Sequence, residues 1–111
     1  MGAWGEDLAL RYLIKHGYRL VERNYRTRRG EIDLILRKEG TLVFVEVKLR
    51  RGTGFGDPLE AVTPRKQATL RYLAERYLAV REPDFDTVRF DVVGILASRE
   101  GLRIDHIQDA F

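Results

Sequence analysis

The chain is predicted to be an α/β domain, a mixed β-sheet flanked by helices, in the order one helix, three strands, one helix, two strands. Three observations predict it. Two stretches, 2–16 and 64–81, repeat apolar residues at helical spacing. Runs rich in Val, Ile, Leu and Phe lie between and after them, bounded by Gly, Pro and Asp. One of these runs, 41–50, is joined to another, 87–97, through a helix, which makes the two strands parallel with a right-handed crossover. A length of 111 residues suits one core and a single domain, 1–111.

Each element follows from its local pattern. Residues 2–16, GAWGEDLALRYLIKH, read as the first helix, with Gly17 at the expected C-terminal stop. Ala3, Ala9, Leu10, Leu13 and Ile14 gather on one face of the wheel, and Glu6 projects from the middle of them. A short strand of imperfect alternation follows at about 18–24, YRLVERN, and RTRRG is a basic turn. EIDLILRK and TLVFVEVKLR flank Glu39-Gly40 and read as a hairpin. In its second strand Val43, Val45, Val47 and Leu49 share one face, while Leu42, Phe44, Glu46, Lys48 and Arg50 share the other. Three glycines and a proline make RGTGFGDP, 51–58, an expected mobile loop. Thr63 is the candidate cap of the second helix and Pro64 its first residue, and the helix runs to about Arg81. Its expected buried stripe is Ala68, Leu70, Leu73, Ala74, Tyr77 and Leu78. Glu82, Pro83 and Asp84 end it, TVRFDVVGILAS is a strong strand, and LRIDHIQDAF is the last strand after a turn at REG.

Composition narrows the chemistry. At 44% hydrophobic and 33% charged residues, neither disorder nor a fibre fits. The absence of a long apolar run and of a basic-then-apolar leader leads to the expectation of a cytoplasmic protein without a membrane span. With no cysteine and two histidines, disulfides, zinc ribbons and thiol catalysis are excluded, so any metal must be held by carboxylates. The net charge of +3 is unevenly spread: residues 1–30 carry seven basic and three acidic side chains, residues 82–111 three and seven. A basic front with an acidic tail, and sixteen arginines among twenty basic residues, point to a polyanion such as nucleic acid.

The hairpin carries the most specific information. With Glu39-Gly40 as a two-residue turn, Lys38 pairs with Thr41, which places Asp33 opposite Glu46 and Glu31 opposite Lys48. Opposed side chains on a sheet stand about 4.5–5.5 Å apart, where like charges destabilise, so Asp33 against Glu46 needs a reason. A hard divalent cation is one, because Mg²⁺ is held by one or two carboxylates together with water and substrate phosphate. Lys48, on the face of Glu46, would stand beside such a metal-bound water. A solvated face is the ordinary fate of an E-x-K pattern, but Phe44 and Leu42 beside it and four apolar residues behind it indicate a sheet buried on both sides. Arg26, Arg28 and Arg29 on one side and Arg50, Arg51, Arg65 and Lys66 on the other bracket the acidic pair as a candidate phosphate track.

Weaker signals receive structural readings. GTGFG at 52–56 lacks the Lys-Ser or Lys-Thr of a phosphate loop. His16 and His106 read as structural. Asp91 could join the acidic centre through the next strand, although Arg89 offers it an ion pair. Trp4, Tyr12, Tyr72 and Tyr77 stand at helical spacing and read as core.

GAWGEDLALRYLIKHGY, RNYRTRRGEIDLI, LVFVEVKLR, AVTPRKQATLRYLAERYL and VRFDVVGI together cover nearly the whole chain and resemble the YraN family of small bacterial proteins. That family in turn resembles the PD-(D/E)xK nuclease superfamily, especially the archaeal Holliday-junction resolvases, which implies a restriction-endonuclease-like αβββαβ core with one extra C-terminal strand and Mg²⁺-dependent cleavage of DNA. Residue by residue, the resemblance places the helix carboxylate on Glu6, the first strand acid on Asp33 and the E-x-K on Glu46 and Lys48; the residue before Asp33 is Ile32 where the superfamily often has proline. The second helix brings Lys66 and Gln67. The implied protein is a nuclease in which Asp33, Glu46 and Glu6 bind Mg²⁺ (or Mn²⁺) and Lys48 orients or deprotonates water, acting on DNA, with branched DNA among its candidates. A non-catalytic nucleic-acid-binding module on the same fold is the alternative. Symmetric cutting of two strands would require a C2 homodimer.

Overall fold

Five strands form one sheet in sequence order, β1 (Arg19–Thr27), β2 (Gly30–Lys38), β3 (Thr41–Arg51), β4 (Thr87–Ser98) and β5 (Gly101–Ile107), in a computed structural model that describes residues 3–52 and 58–111. Helix α1 (Ala3–Lys15) precedes the sheet, and a 3-10 turn (Pro58–Ala61) followed by helix α2 (Pro64–Arg81) connects β3 to β4. Every pairing is antiparallel except β3 with β4, which is parallel as the helical crossover requires. The αβββαβ order with an extra strand is the expected one. Residues 53–57, most of the anticipated mobile loop, and Gly2 lie outside the described residues. Among the described residues no helix is long and apolar enough to cross a membrane.

The hairpin turn behaves as the sequence dictates. Glu39 takes a φ of 55°, and Lys38 pairs with Thr41, Arg37 with Leu42 and Leu34 with Val45. Alternation then sends the two faces of β3 to two cores. Val43, Val45 and Val47 pack with Ala9 and Leu13 of α1, together with Leu34, Leu36 and Val93. Leu42 and Phe44 pack with Leu70, Leu73 and Tyr77 of α2, together with Ile35 and Val92. A sheet sandwiched this way has central strands that read as nearly continuous apolar runs. Each fully buried Leu or Ile contributes on the order of 1.5–3 kcal/mol.

Helix ends follow their caps. The Thr63 side chain accepts a hydrogen bond from the Lys66 N–H at 3.2 Å, and Pro64 occupies the first turn, where its missing N–H costs nothing. Several readings need correction. Ala68 is exposed and does not belong to the buried stripe, and Ile14 of α1 is 52% exposed. Helical spacing marks an arc but not how far the neighbouring sheet reaches across it. The last strand stops at Ile107; beyond it the Ala110 N–H bonds the Phe90 carbonyl, and Phe111 stacks on Phe90 with ring centroids 5.2 Å apart.

Candidate functional site

The site begins where two ladders part. The recorded β2–β3 register ends at Leu34 with Val45, whereas β1–β2 continues to Thr27 with Gly30 and β3–β4 to Arg51 with Ala97. The sheet is therefore forked beyond Leu34. At the fork the β1–β2 ladder skips the couple between Arg23 with Leu34 and Tyr25 with Ile32, which are Asn24 and Asp33. Residues two apart in a regular strand share a face. Here Leu34 belongs to the core beneath α1, while Ile32 and Tyr25 belong to the core beneath α2. Alternation reverses at Asn24 and Asp33, and Asn24, with a φ of 56°, supplies the left-handed backbone that permits it.

The reversal frees the Asp33 side chain from either face. Its Oδ2 accepts the Val47 backbone N–H at 2.8 Å, so a carboxylate occupies the throat of the fork. Glu6 arrives from α1 and is only 5% exposed, and carboxylate oxygens of Glu6, Glu31 and Asp33 lie within 4.8 Å of one another. Such a group of hard oxygen donors could hold a metal ion. Asn24 Nδ2 donates to Glu6 Oε1 at 2.9 Å and to Glu31 Oε2 at 3.0 Å, bridging two members of the group. Ala3, Glu6, Asn24, Arg26, Glu31 and Asp33 line an open polar cleft of about 320 Å³.

Glu46 belongs to the α2 side of the fork. It is 5% exposed, and its Oε2 lies 3.3 Å from Lys48 Nζ and 3.5 Å from Lys66 Nζ. Burial first, and the Glu46 charge second, push Asp33 up to about 7; the Val47 N–H works against them, and Glu6 and Glu31 add to the rise. A carboxyl so placed is a group whose charge awaits compensation.

The remaining predicted residues are placed as follows. Gln67 donates through Nε2 to the Val62 carbonyl at 3.0 Å, at the start of α2. Arg26 Nε pairs with Glu31 Oε1 at 3.1 Å, the Arg29 guanidinium lies over Tyr72 and that of Arg51 over Trp4. Arg28 and Arg65 are exposed, and Arg50 is half-buried. Glu31, expected across from Lys48, turns instead to Arg26 and Asn24 of β1. Asn24 and Glu31 were not singled out for the site, because their convergence depends on the reversed alternation. Arg23, with Nε 3.3 Å from Glu6 Oε1 and Nη2 2.8 Å from Asp7 Oδ1, ties α1 to β1.

Asp91 does not join the centre. It points to the α1 side, where Arg89 binds it through Nε and Nη2 at 2.9 Å each, His106 Nε2 lies at 2.7 Å and the Asp109 N–H donates at 3.0 Å. Burial works to raise its pKa, but these hydrogen bonds outweigh burial and hold it below the ordinary value. Tyr77 is buried as expected and Tyr12 partly so, whereas Trp4 and Tyr72 are exposed at 46% and 37%, contrary to a core assignment.

Fold and site together define a small α/β domain whose forked mixed sheet opens onto a carboxylate-lined cleft. The chain belongs to the Uncharacterised protein family UPF0102, whose profile matches residues 5–95, and this is the YraN-like family expected from the motifs. It is 50% identical over 111 residues to a UPF0102 protein of Syntrophomonas wolfei, covering all of this chain and 96% of that one. It is 49% identical to a UPF0102 protein of Rhodococcus opacus, covering all of this chain and 95% of the relative, and 41% identical to one of Dictyoglomus thermophilum, covering 95% and 89%. Among solved structures, Pyrococcus furiosus SfsA in complex with Ca²⁺ matches 93% of this chain and 60% of that chain, with 12% identity and a TM-score of 0.34. A likeness that faint carries no argument.

Proposed function

We propose that the protein is a divalent-metal-dependent nuclease that hydrolyses phosphodiester bonds in DNA. The observation that carries this is the convergence of Glu6, Glu31 and Asp33 at the fork, with Glu46, Lys48 and Lys66 beside them and Asp33 raised to about 7. An acidic cluster with a lysine next to it has little use as packing, since like charges in a half-buried site destabilise the fold.

The donor chemistry fits Mg²⁺ or Mn²⁺: the carboxylates are hard oxygen ligands, the cleft is open to water and phosphate, and the half-buried Asp33 has no cation paired with it among the described contacts. Glu6 and Asp33 would hold the ion with Glu31 or Glu46. When bound, such an ion makes water more acidic and neutralises phosphate charge. Lys48 has a separate duty. Its ammonium, 3.3 Å from Glu46 Oε2, would orient the attacking water and balance negative charge gathering on the phosphate. Asn24 keeps Glu6 and Glu31 aimed at one point. Arg28 and Arg65 supply exposed charge for the DNA backbone, and a homodimer would present two such clefts to two strands.

The test is incubation of the purified protein with labelled duplex, flap, junction and single-stranded DNA in Mg²⁺, Mn²⁺ or EDTA. Metal-dependent cleavage that Lys48→Ala abolishes, while metal still raises the variant's melting temperature, is the expected result. Binding of DNA without cleavage under every condition would establish the binding-module alternative instead.

A further inference from the structure

Arginine guanidiniums lie over aromatic rings at several places, and most of those rings are buried. Arg89 covers Tyr18, Arg81 covers Tyr25 and Tyr77, and Arg71 covers Phe90, each ring being 9% exposed or less. There the arginine closes a core. Two pairs differ. Arg51 lies 5.5 Å from the centroid of Trp4, and Arg29 lies 4.7 Å from that of Tyr72, yet these rings are 46% and 37% exposed. Both pairs leave their rings exposed, and each has one member close along the chain to residues that line the cleft. Trp4 follows Ala3, which lines it, and Arg29 lies in the turn between Arg26 and Glu31, which also line it.

We propose that Trp4 with Arg51 and Tyr72 with Arg29 are stacking platforms for unpaired bases, so that the nucleic acid entering the cleft is single-stranded or carries unpaired nucleotides. The proposal rests on the nuclease reading and adds the substrate class to it. A flat ring or guanidinium plane accepts any base, because every base has a π-face, whereas phosphate contacts alone do not distinguish paired from unpaired strands. The face of a base inside a duplex is covered by its neighbours, so this grip selects strands whose bases are free. An arginine held over a ring stays charged and keeps N–H groups for the adjoining phosphate. Each platform therefore offers one surface to a base and one charge to the backbone.

Trp4 is the sole tryptophan, so its fluorescence reports on this surface alone. In EDTA, where no cleavage is expected, an oligothymidylate of about 12 nucleotides should quench that fluorescence, and a blunt duplex of equal length should bind without quenching it. Trp4→Leu should lower the ratio of oligothymidylate to duplex affinity by about 5- to 150-fold, since stacking on one side chain is worth roughly 1–3 kcal/mol per base; Trp4→Phe should restore most of it. If Trp4→Leu lowers the melting temperature, Tyr72→Leu carries the same comparison. An unchanged ratio in the folded variants, or equal quenching by duplex and oligothymidylate, overturns the platforms. Retained Mg²⁺-dependent cleavage in that case would leave the nuclease reading standing, whereas absence of both binding and cleavage for every DNA would remove both.

Discussion

Asp33 and Asp91 occupy strands two apart in the same sheet, and their surroundings are opposite. Asp91 is fully buried and receives Arg89, His106 and the Asp109 N–H, which together hold its pKa low despite burial. Asp33 accepts the Val47 N–H and is raised to about 7 by burial and by the Glu46, Glu6 and Glu31 carboxylates. The difference teaches that burial alone does not assign a carboxylate its role. Compensation does: an aspartate surrounded by donors holds the fold together, while one surrounded by acids is a candidate for binding a cation.

Substituting each aspartate should give opposite phenotypes. The largest effect is expected on turnover. Asp33→Asn should reduce metal-dependent cleavage by at least about 100-fold, and should erase the metal-dependent rise in melting temperature, which in the wild type corresponds to about 2.7 kcal/mol at a hundred times the dissociation constant. Without metal the variant should be as stable as the wild type or more so, because one like charge has gone. A wild-type melting curve indifferent to Mg²⁺ and Mn²⁺ would count against the metal centre.

Asp91→Asn should do the reverse. It strands the Arg89 guanidinium and disturbs the His106 contact, so a loss of about 3–5 kcal/mol in chemical denaturation is expected, with the metal-dependent gain retained in whatever fraction folds. A cost below about 1 kcal/mol would show that the cluster behaves as a surface ion pair.

Acidity sharpens the contrast further. Between about pH 4 and 7 folded Asp33 keeps a proton that the unfolded chain has released, so its contribution to apo stability falls as pH rises through that window. Asp91, with its pKa depressed, contributes fully above the ordinary carboxylate pKa and loses that contribution as pH falls through its lower folded value. The melting temperature of the metal-free protein between pH 4 and 8 should therefore decline more steeply in the wild type than in Asp33→Asn. Parallel profiles would mean that Asp33 is not raised.

The smallest effect tests the frame around the site. Thr63→Ala removes the cap that starts α2 one turn before Lys66 reaches Glu46, and should cost about 1 kcal/mol, measured by urea denaturation.

Much of this frame was legible in the sequence because it depends on local chemistry. Glu39-Gly40 set the hairpin register as far as Leu34 with Val45, short of the expected couple of Asp33 with Glu46; Thr63-Pro64 set the start of α2, and the doubly apolar β3 announced a sheet covered on both sides. Of the four candidates that the sequence offers, the structure brings Glu6 and Asp33 together, while Glu46 and Lys48 pair with each other. What escaped was whatever depends on a break in periodicity. Nothing in RLVERN shows that Asn24 adopts a φ of 56°, and with regular alternation Glu31 belongs across from Lys48 and not beside Asp33. Trp4 and Tyr72 escaped for a related reason, since spacing places a ring on a helix face but does not say where the sheet beneath that face ends.

Gly94 and Pro58 bear on how freely Lys48 can move. Gly94 is the parallel-strand partner of Lys48, and a Cβ built on it would run into the Pro58 ring. The missing side chain lets the 3-10 turn settle against β4 at the position that pairs with Lys48, so a rigid proline ring, not another mobile side chain, covers that position. A lysine can lose up to about 2 kcal/mol of rotamer freedom when fixed. In the proposed reaction, a ring that limits the rotamers open to Lys48 would leave less of that freedom to be surrendered when its ammonium meets the phosphate.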